Sequence, residues 1–280
     1  MLIRAGLPNG TVTVTELRLC PPEVVATATD CAPNAGAVIA NIMGSRIERI
    51  AVFCVAANEH AMNAEADDLT LFRPRRAERC GLYLISPQEV GGAFPDRLKA
   101  ALEPGIASAF QLRVKDVGQH ELARLAEPLQ RLCADAEVAF IVNDSIALAK
   151  RLGADGVHLG QSDGTVREAR AELGPEAQIG RTCHDSRHFA MEAGEEGADY
   201  VAFGAFYETT TKPSNYRPDP SILTWWSTVF EIPCVAIGGI TPANAAPLVE
   251  AGADFVAVCL AVWGADDPRA AVTAFADILA

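Results

Sequence analysis

Gln111, Arg113 and Lys115 follow one apolar run at intervals of two, so on an extended chain the three side chains point to one side. Asn143-Asp144 close the next apolar run, His158 and then Gln161-Ser162-Asp163 the one after it, and Thr182-Cys183-His184 the next. A long segment from Gly204 to Pro218 carries Thr209-Thr210-Thr211-Lys212, and Gly238-Gly239 close a later run. Two carboxylates, a carboxamide and three cations in equivalent positions describe a site for anions. Asp144 and Asp163 with retained waters suit Mg²⁺, which takes oxygen ligands and bridges to phosphates. Arg113, Lys115 and Lys212 would neutralise the rest of a diphosphate. The threonine hydroxyls and the main chain near Gly239 would hold a second phosphate. Zinc fits poorly, because His158 and His184 lie on separate segments with no Cys/His cluster of zinc-like spacing around them. A Gly-x-Ser-x-Gly elbow is absent, and nothing orients Cys183 beside His184 as a nucleophile.

Each of these residues also has a plainer role. Asp144 and Asp163 could cap the helices that follow them, and His158 could be a satisfied interior histidine. Lys212 could be an ordinary exposed lysine, the threonines loop filler, and the glycine pair a device for close packing. What sets them apart is a shared position past short apolar runs. Only four lysines occur in the chain, and Lys115 and Lys212 are two of them.

The runs that place these residues are regular from Leu82 onward. Strand candidates are Leu82–Ser86, Ser108–Leu112, Val138–Val142, Gly156–Leu159, Gln178–Thr182, Tyr200–Phe203, Cys234–Ile237 and Phe255–Val258. Amphipathic stretches lie between them, among them Leu122–Cys133, Ile146–Leu152, Val166–Leu173, Arg187–Glu196 and Asn244–Ala251. Short apolar strands alternating with helices call for a parallel sheet covered by helices, and eight units in about 200 residues match an α/β fold of the closed (β/α)8 TIM-barrel kind. Leu152-Gly-Ala-Asp155, Glu196-Gly-Ala-Asp199 and Ala251-Gly-Ala-Asp254 repeat at three helix-to-strand junctions. An open doubly wound sheet is the alternative, but the first strand lacks the Gly-x-Gly-x-x-Gly that would favour it. In a barrel of this kind the chemistry belongs to the loops after the strands, where the residues above fall.

Residues 1–80 do not share this pattern. They hold eight arginines, nine acidic residues and no lysine, so almost all of the net charge of −13 lies beyond them. This amino-terminal extension is of uncertain order, and two readings stay open. It is a small α/β appendage with a strand over Ile47–Ala57, or a weakly ordered segment with Met62 as the start of the folded chain. Residues 81–280 form the catalytic barrel domain on either reading.

Composition narrows the partners. The chain has 280 residues, half of them hydrophobic, with 36 acidic against 23 basic side chains. That surface repels nucleic-acid backbones, and the densest basic run is Arg73-Pro74-Arg75-Arg76. The apolar stretch 35–57 is broken by Arg46, Glu48 and Arg49, so no membrane partner is expected, and the first twenty residues lack a signal-peptide pattern. Eight cysteines without pairing motifs fit reduced thiols, and the default location is the cytoplasm. A homo-oligomer is compatible with the sequence, which does not specify one.

Five segments together carry a resemblance: Gln111-Leu-Arg-Val-Lys115, Asn143-Asp144, Asp155-Gly-Val-His-Leu-Gly-Gln-Ser-Asp163, Thr209-Thr-Thr-Lys212 and Ala236-Ile-Gly-Gly-Ile240. In this order, each at its own strand end, they resemble the thiamine-phosphate synthase family over residues 81–280. The resemblance implies coupling of 4-amino-2-methyl-5-(hydroxymethyl)pyrimidine diphosphate with 4-methyl-5-(2-hydroxyethyl)thiazole phosphate, or its carboxylated form, with loss of diphosphate. It implies Mg²⁺ on Asp144 and Asp163, and a diphosphate held by Arg113, Lys115, Asn143 and Lys212. Gln111 and His158 would face the pyrimidine. Thr209, Thr211, Gly239 and the main chain at Cys259-Leu260 would take the thiazole phosphate. Thr182 replaces the family's frequent serine, Glu208 stands where proline is usual, and Leu260 where serine is frequent.

Three other functions compete. A relative that isomerises the thiazole phosphate would lack much of the diphosphate set, which is present here. A non-catalytic barrel binding thiamine precursors stays open because residues 1–80 have no assigned role. A phosphosugar isomerase or aldolase would want a general base or a Schiff-base lysine, for which Lys115 is a faint candidate.

Overall fold

A computed structural model describes residues 5–7, 10–12, 80–209 and 215–280. Contacts divide the chain into residues 1–52 and 53–280. In the first unit, strands β1 (Ala5–Leu7) and β2 (Gly10–Val12) pair antiparallel with Leu7 opposite Gly10. Ile47–Ala57 and Met62 lie outside the described residues.

The described residues of the second unit form a closed parallel barrel. Its strands are β3 (Gly81–Ile85), β4 (Ala107–Leu112), β5 (Ala139–Asn143), β6 (Gly156–Leu159), β7 (Gln178–His184), β8 (Tyr200–Gly204), β9 (Cys234–Ile237) and β10 (Phe255–Val258). Each pairs with the next in chain order, and β10 returns to β3 with Phe255 opposite Gly81. The principal outer helices are α1 (Phe94–Leu102), α2 (Gln119–Asp135), α3 (Ile146–Leu152), α4 (Val166–Leu173), α5 (Arg187–Glu195), α6 (Ser221–Val229) and α7 (Ala246–Glu250). Three short helices, α8 (Leu260–Trp263), α9 (Pro268–Thr273) and α10 (Ala276–Leu279), complete the circuit.

The pleat of each strand explains two cores. Leu82, Leu84, Phe110, Phe140, Val157 and Phe203 point outward and bury themselves under the helices. Tyr83, Ala109, Ile141, Tyr200, Ala202, Val235 and Ala257 point inward and fill the barrel, small residues alternating with large ones. Space for the Tyr200 ring comes from Gly180, since a Cβ there would overlap the ring.

The repeated Gly-Ala-Asp phrase has a structural function at the amino-terminal ends of the strands. Asp155, Asp199 and Asp254 each accept a hydrogen bond on the side chain from the main-chain N–H of Phe140, Ile179 and Cys234, at 2.7, 2.8 and 2.8 Å. Their own N–H groups donate to the carbonyls of the same three residues. Each aspartate thus clasps its strand to the preceding one, and Arg170 adds an ion pair to Asp199 at 2.5 Å. Asp254 is 6% exposed. Asp254→Ala leaves a buried N–H without its acceptor and is expected to cost about 1–3 kcal/mol of unfolding free energy, read as a lower urea midpoint at unchanged slope.

Candidate active site

At the carboxyl-terminal ends of the strands the barrel opens into a cavity of about 1190 Å³. Gln111, Arg113, Lys115, Asn143, Asp144, His158, Asp163, Thr182, Thr209, Gly239, Cys259 and Leu260 all line it. Thr211 and Lys212 lie outside the described residues.

The cationic row is held by the β3–α1 loop. The Ser86 N–H donates to the Gln111 carbonyl at 2.9 Å, and the Arg113 N–H donates to the Ser86 hydroxyl at 2.8 Å. Gln88 then grips the main chain of Lys115 from both sides: its amide donates to the Lys115 carbonyl at 2.5 Å and accepts from the Lys115 N–H at 3.1 Å. The extended run after β4 is thereby prolonged to Lys115, whose Nζ sits 3.6 Å from Asp144 Oδ2. Sequence reasoning missed Ser86 and Gln88. Their signal was only their place after the first strand.

Neither acidic residue caps a helix. The N-cap of α3 is Ser145, which accepts from the Leu148 N–H, and that of α4 is Thr165 in a capping box with Glu168. Asp144 has a φ of 65°, a left-handed conformation that aspartate and asparagine tolerate better than most residues, and donates its N–H to the His158 carbonyl at 2.8 Å. Asp163 accepts from the Gly160 N–H at 3.0 Å and from the Ser162 hydroxyl at 3.2 Å. The two carboxyl groups meet across the loop ends. Burial first, and then the hydrogen bond and charge of Asp163, push the Asp144 carboxyl above its usual range, while Lys115 and Arg113 pull the other way. Two opposed carboxylates in one cavity fit a divalent cation. Among the described residues no group of three or more His, Cys, Asp or Glu side chains is gathered here, so such a cation would need further oxygen ligands from other groups or from water.

The floor of the cavity carries a buried polar chain. Gln111 Nε2 donates to the Tyr83 hydroxyl at 3.2 Å, Tyr83 and Tyr200 hydroxyls lie 2.9 Å apart, and the Tyr200 hydroxyl is 3.1 Å from His158 Nδ1. His158 Nε2 is 2.8 Å from the Thr182 hydroxyl. His158 is therefore a satisfied interior histidine that also faces the cavity. Tyr83 and Tyr200 escaped sequence reasoning because inside short apolar strands they read as core.

Opposite the acids, Gly238 and Gly239 have φ of 97° and 66°. A Cβ on Gly238 would overlap Ala205, and one on Gly239 would press on the Glu208 carbonyl and on Tyr207 Cβ. The pair lets the β8–α6 loop approach, so the packing role is real, and the same turn lines the cavity. Asn244 braces it, donating to the Gly239 carbonyl at 3.1 Å and accepting from the Thr241 N–H at 2.7 Å. Beyond it, Leu260 is 52% exposed at the mouth. On the rim, His184 stacks on Tyr216 with centroids 4.2 Å apart.

An eight-stranded parallel barrel with its polar side chains converging at the carboxyl ends of the strands defines a TIM-barrel enzyme. The chain belongs to the thiamine monophosphate synthase family, whose model matches residues 82–262. It is 66% identical over 203 residues to a thiamine-phosphate synthase of Erythrobacter litoralis, covering 71% of this chain and 95% of that one. It is 54% identical over 198 residues to one of Rhodospirillum centenum, covering 70% and 96%. The solved thiamine phosphate pyrophosphorylase of Pyrococcus furiosus superposes with a TM-score of 0.63 at 32% identity, covering 71% of this chain and 95% of that one. Orotidine 5'-phosphate decarboxylase of Pyrococcus horikoshii, at 17% identity and a TM-score of 0.51 over 70% of this chain and 98% of its own, shares the fold. The chain is thus a transferase of thiamine biosynthesis. Among the described residues no helix is long and apolar enough to cross a membrane.

Proposed function

We propose that this chain couples 4-amino-2-methyl-5-(hydroxymethyl)pyrimidine diphosphate to 4-methyl-5-(2-hydroxyethyl)thiazole phosphate, or to its carboxylated form with loss of CO₂, giving thiamine phosphate and diphosphate. The observation that carries this reading is the Asp144–Asp163 pair, with Lys115 3.6 Å from Asp144, in one cavity with the Gly239 turn and Cys259. One side of that cavity suits a diphosphate with its metal, the other a monophosphate.

The reaction is dissociative on this reading. The bond from the pyrimidine methylene carbon to oxygen breaks, and diphosphate departs with the electron pair. The lone pair of the thiazole nitrogen then forms the new C–N bond to the pyrimidine-methyl cation. No proton moves in this step, so no general base is needed. Arg113, Lys115 and Asn143, joined by Lys212 from the β8–α6 loop, hold the departing diphosphate where its negative charge grows. Asp144 and Asp163 hold Mg²⁺, which when bound neutralises part of that charge. Gln111, His158 and Thr182 lie on the pyrimidine side. Thr209, Thr211, Gly239 and the main chain at Cys259–Leu260 take the thiazole phosphate. Leu260 offers no hydroxyl, so N–H groups carry that contact. The same reading assigns catalysis to residues 81–280, in the cytoplasm, on small-molecule substrates.

Purified protein given both phosphorylated precursors and Mg²⁺ is expected to form thiamine phosphate, with one diphosphate released per product, measured by chromatography. No product under those conditions eliminates the proposal.

A further inference from the structure

The buried chain Gln111–Tyr83–Tyr200–His158–Thr182 crosses the barrel interior from β4 through β3, β8 and β6 to β7. Its members are 4%, 4%, 8%, 7% and 7% exposed, so each hydroxyl hydrogen must find its partner inside the chain or at the cavity. Counting those hydrogens gives the chain a direction. The Gln111 amide nitrogen only donates, so at Tyr83 the oxygen accepts from it and the single phenolic hydrogen is left for Tyr200. Tyr200 has then accepted one hydrogen bond and has its own hydrogen for His158 Nδ1. A ring nitrogen that accepts carries no proton, so the imidazole proton sits on Nε2 and is donated to the Thr182 oxygen. The reverse order would take the Tyr83 hydrogen away from its only acceptor in the chain, at a cost of about 1–3 kcal/mol for a buried group.

We propose that Tyr83 and Tyr200 are positioning residues that fix His158 as the neutral tautomer protonated on Nε2 and so turn the Thr182 hydroxyl hydrogen into the cavity. Burial raises both phenols well above their ordinary range, so both keep the hydrogens this order requires. The His158 and Tyr200 rings stack at 5.6 Å, and the space left by Gly180 holds Tyr200 in register. The two ends of the chain then differ in kind: Gln111 presents its amide oxygen as an acceptor, Thr182 presents a donor. A ligand that satisfies both carries an N–H group and a ring or phosphate acceptor, as an aminopyrimidine does. This last consequence rests on the proposed coupling reaction, whereas the tautomer does not.

The test is ¹⁵N NMR of the full chain labelled at its five histidines. The His158 signals are assigned by their loss in His158→Asn. The expected spectrum at neutral pH shows Nδ1 as an unprotonated ring nitrogen and Nε2 bonded to hydrogen. A proton on Nδ1, a mixture of tautomers or an imidazolium overturns the proposal, and the wild-type spectrum decides this whether or not any variant folds. In Tyr200→Phe, with far-UV circular dichroism unchanged, the single tautomer is expected to give way to a mixture. The KM for the pyrimidine diphosphate is expected to rise about tenfold, one net hydrogen bond of about 1.4 kcal/mol, with kcat changed less. An unchanged Nε2–H signal in that variant removes Tyr200 from its role. The spectrum needs no turnover, so failure of the coupling assay would leave the tautomer result standing and sink the reaction alone.

Discussion

Asp144→Asn is expected to lower kcat/KM for coupling by on the order of a thousandfold, about 4 kcal/mol of activation free energy, while the barrel stays folded. Asparagine is the informative replacement because it tolerates the left-handed backbone that Asp144 adopts at φ 65°, so the loss reports charge and not strain. The pair of carboxyl groups predicts a second readout that needs no substrate. Burial, and then the hydrogen bond and charge of Asp163, raise Asp144, and a divalent cation between the two carboxyl groups would favour the ionised pair. Mg²⁺ should therefore raise the melting temperature of the wild-type protein and leave that of Asp144→Asn unmoved. A variant with normal turnover, or one whose melting temperature still climbs with Mg²⁺, would show that the ion sits elsewhere.

Lys115→Ala is the other large effect, a fall of about a hundredfold or more in kcat at saturating pyrimidine diphosphate. Lys115 is placed by a two-sided grip from Gln88 and faces Asp144, so its ammonium is already aligned before any ligand arrives. A preorganised cation acts on charge that appears only as the leaving group departs, which is why the loss should fall on kcat more than on KM. Lys212→Ala is expected to behave alike. Turnover measured for both variants decides the assignment: normal rates in the pair would mean the departing group is held by other residues.

Much of this arrangement was legible in the sequence because buried parallel strands leave a plain mark. The β6 and β9 runs, Gly156–Leu159 and Cys234–Ile237, have the expected bounds, as do α3 and α4, whose apolar faces repeat at helical spacing. Helix α6 gives a weaker signal: Ser221–Val229 holds no charged residue, so only serine and threonine contrast with the buried Ile222, Leu223 and Trp226. Helix α1 was missed as well, its start lying just past the Gly91-Gly92 break and its second position holding Pro95. At the site, many of the residues that line the cavity could be found by type and by position past a strand. Those that hold them could not. Gln88 acts through main-chain hydrogen bonds that no spacing announces, and Tyr83 and Tyr200 sit where alternation predicts only hydrophobic filling. The capping alternative for Asp144 and Asp163 was also beyond sequence reasoning to decide, because Ser145 and Thr165 stand one and two residues on and each can cap as well.

The seam between β10 and β3 has a consequence for how the barrel and its cavity are completed. Phe255–Val258 must reach back to meet the first strand of the barrel, and Trp263 and Arg97 fasten the join through the Ile85 and Trp263 carbonyls. Without that late stretch the sheet has no closing strand, and the cavity lacks the wall formed by Ala257, Cys259 and Leu260. Closure of the sheet and completion of the cavity wall therefore depend on the same late stretch of chain, from β10 to Leu260.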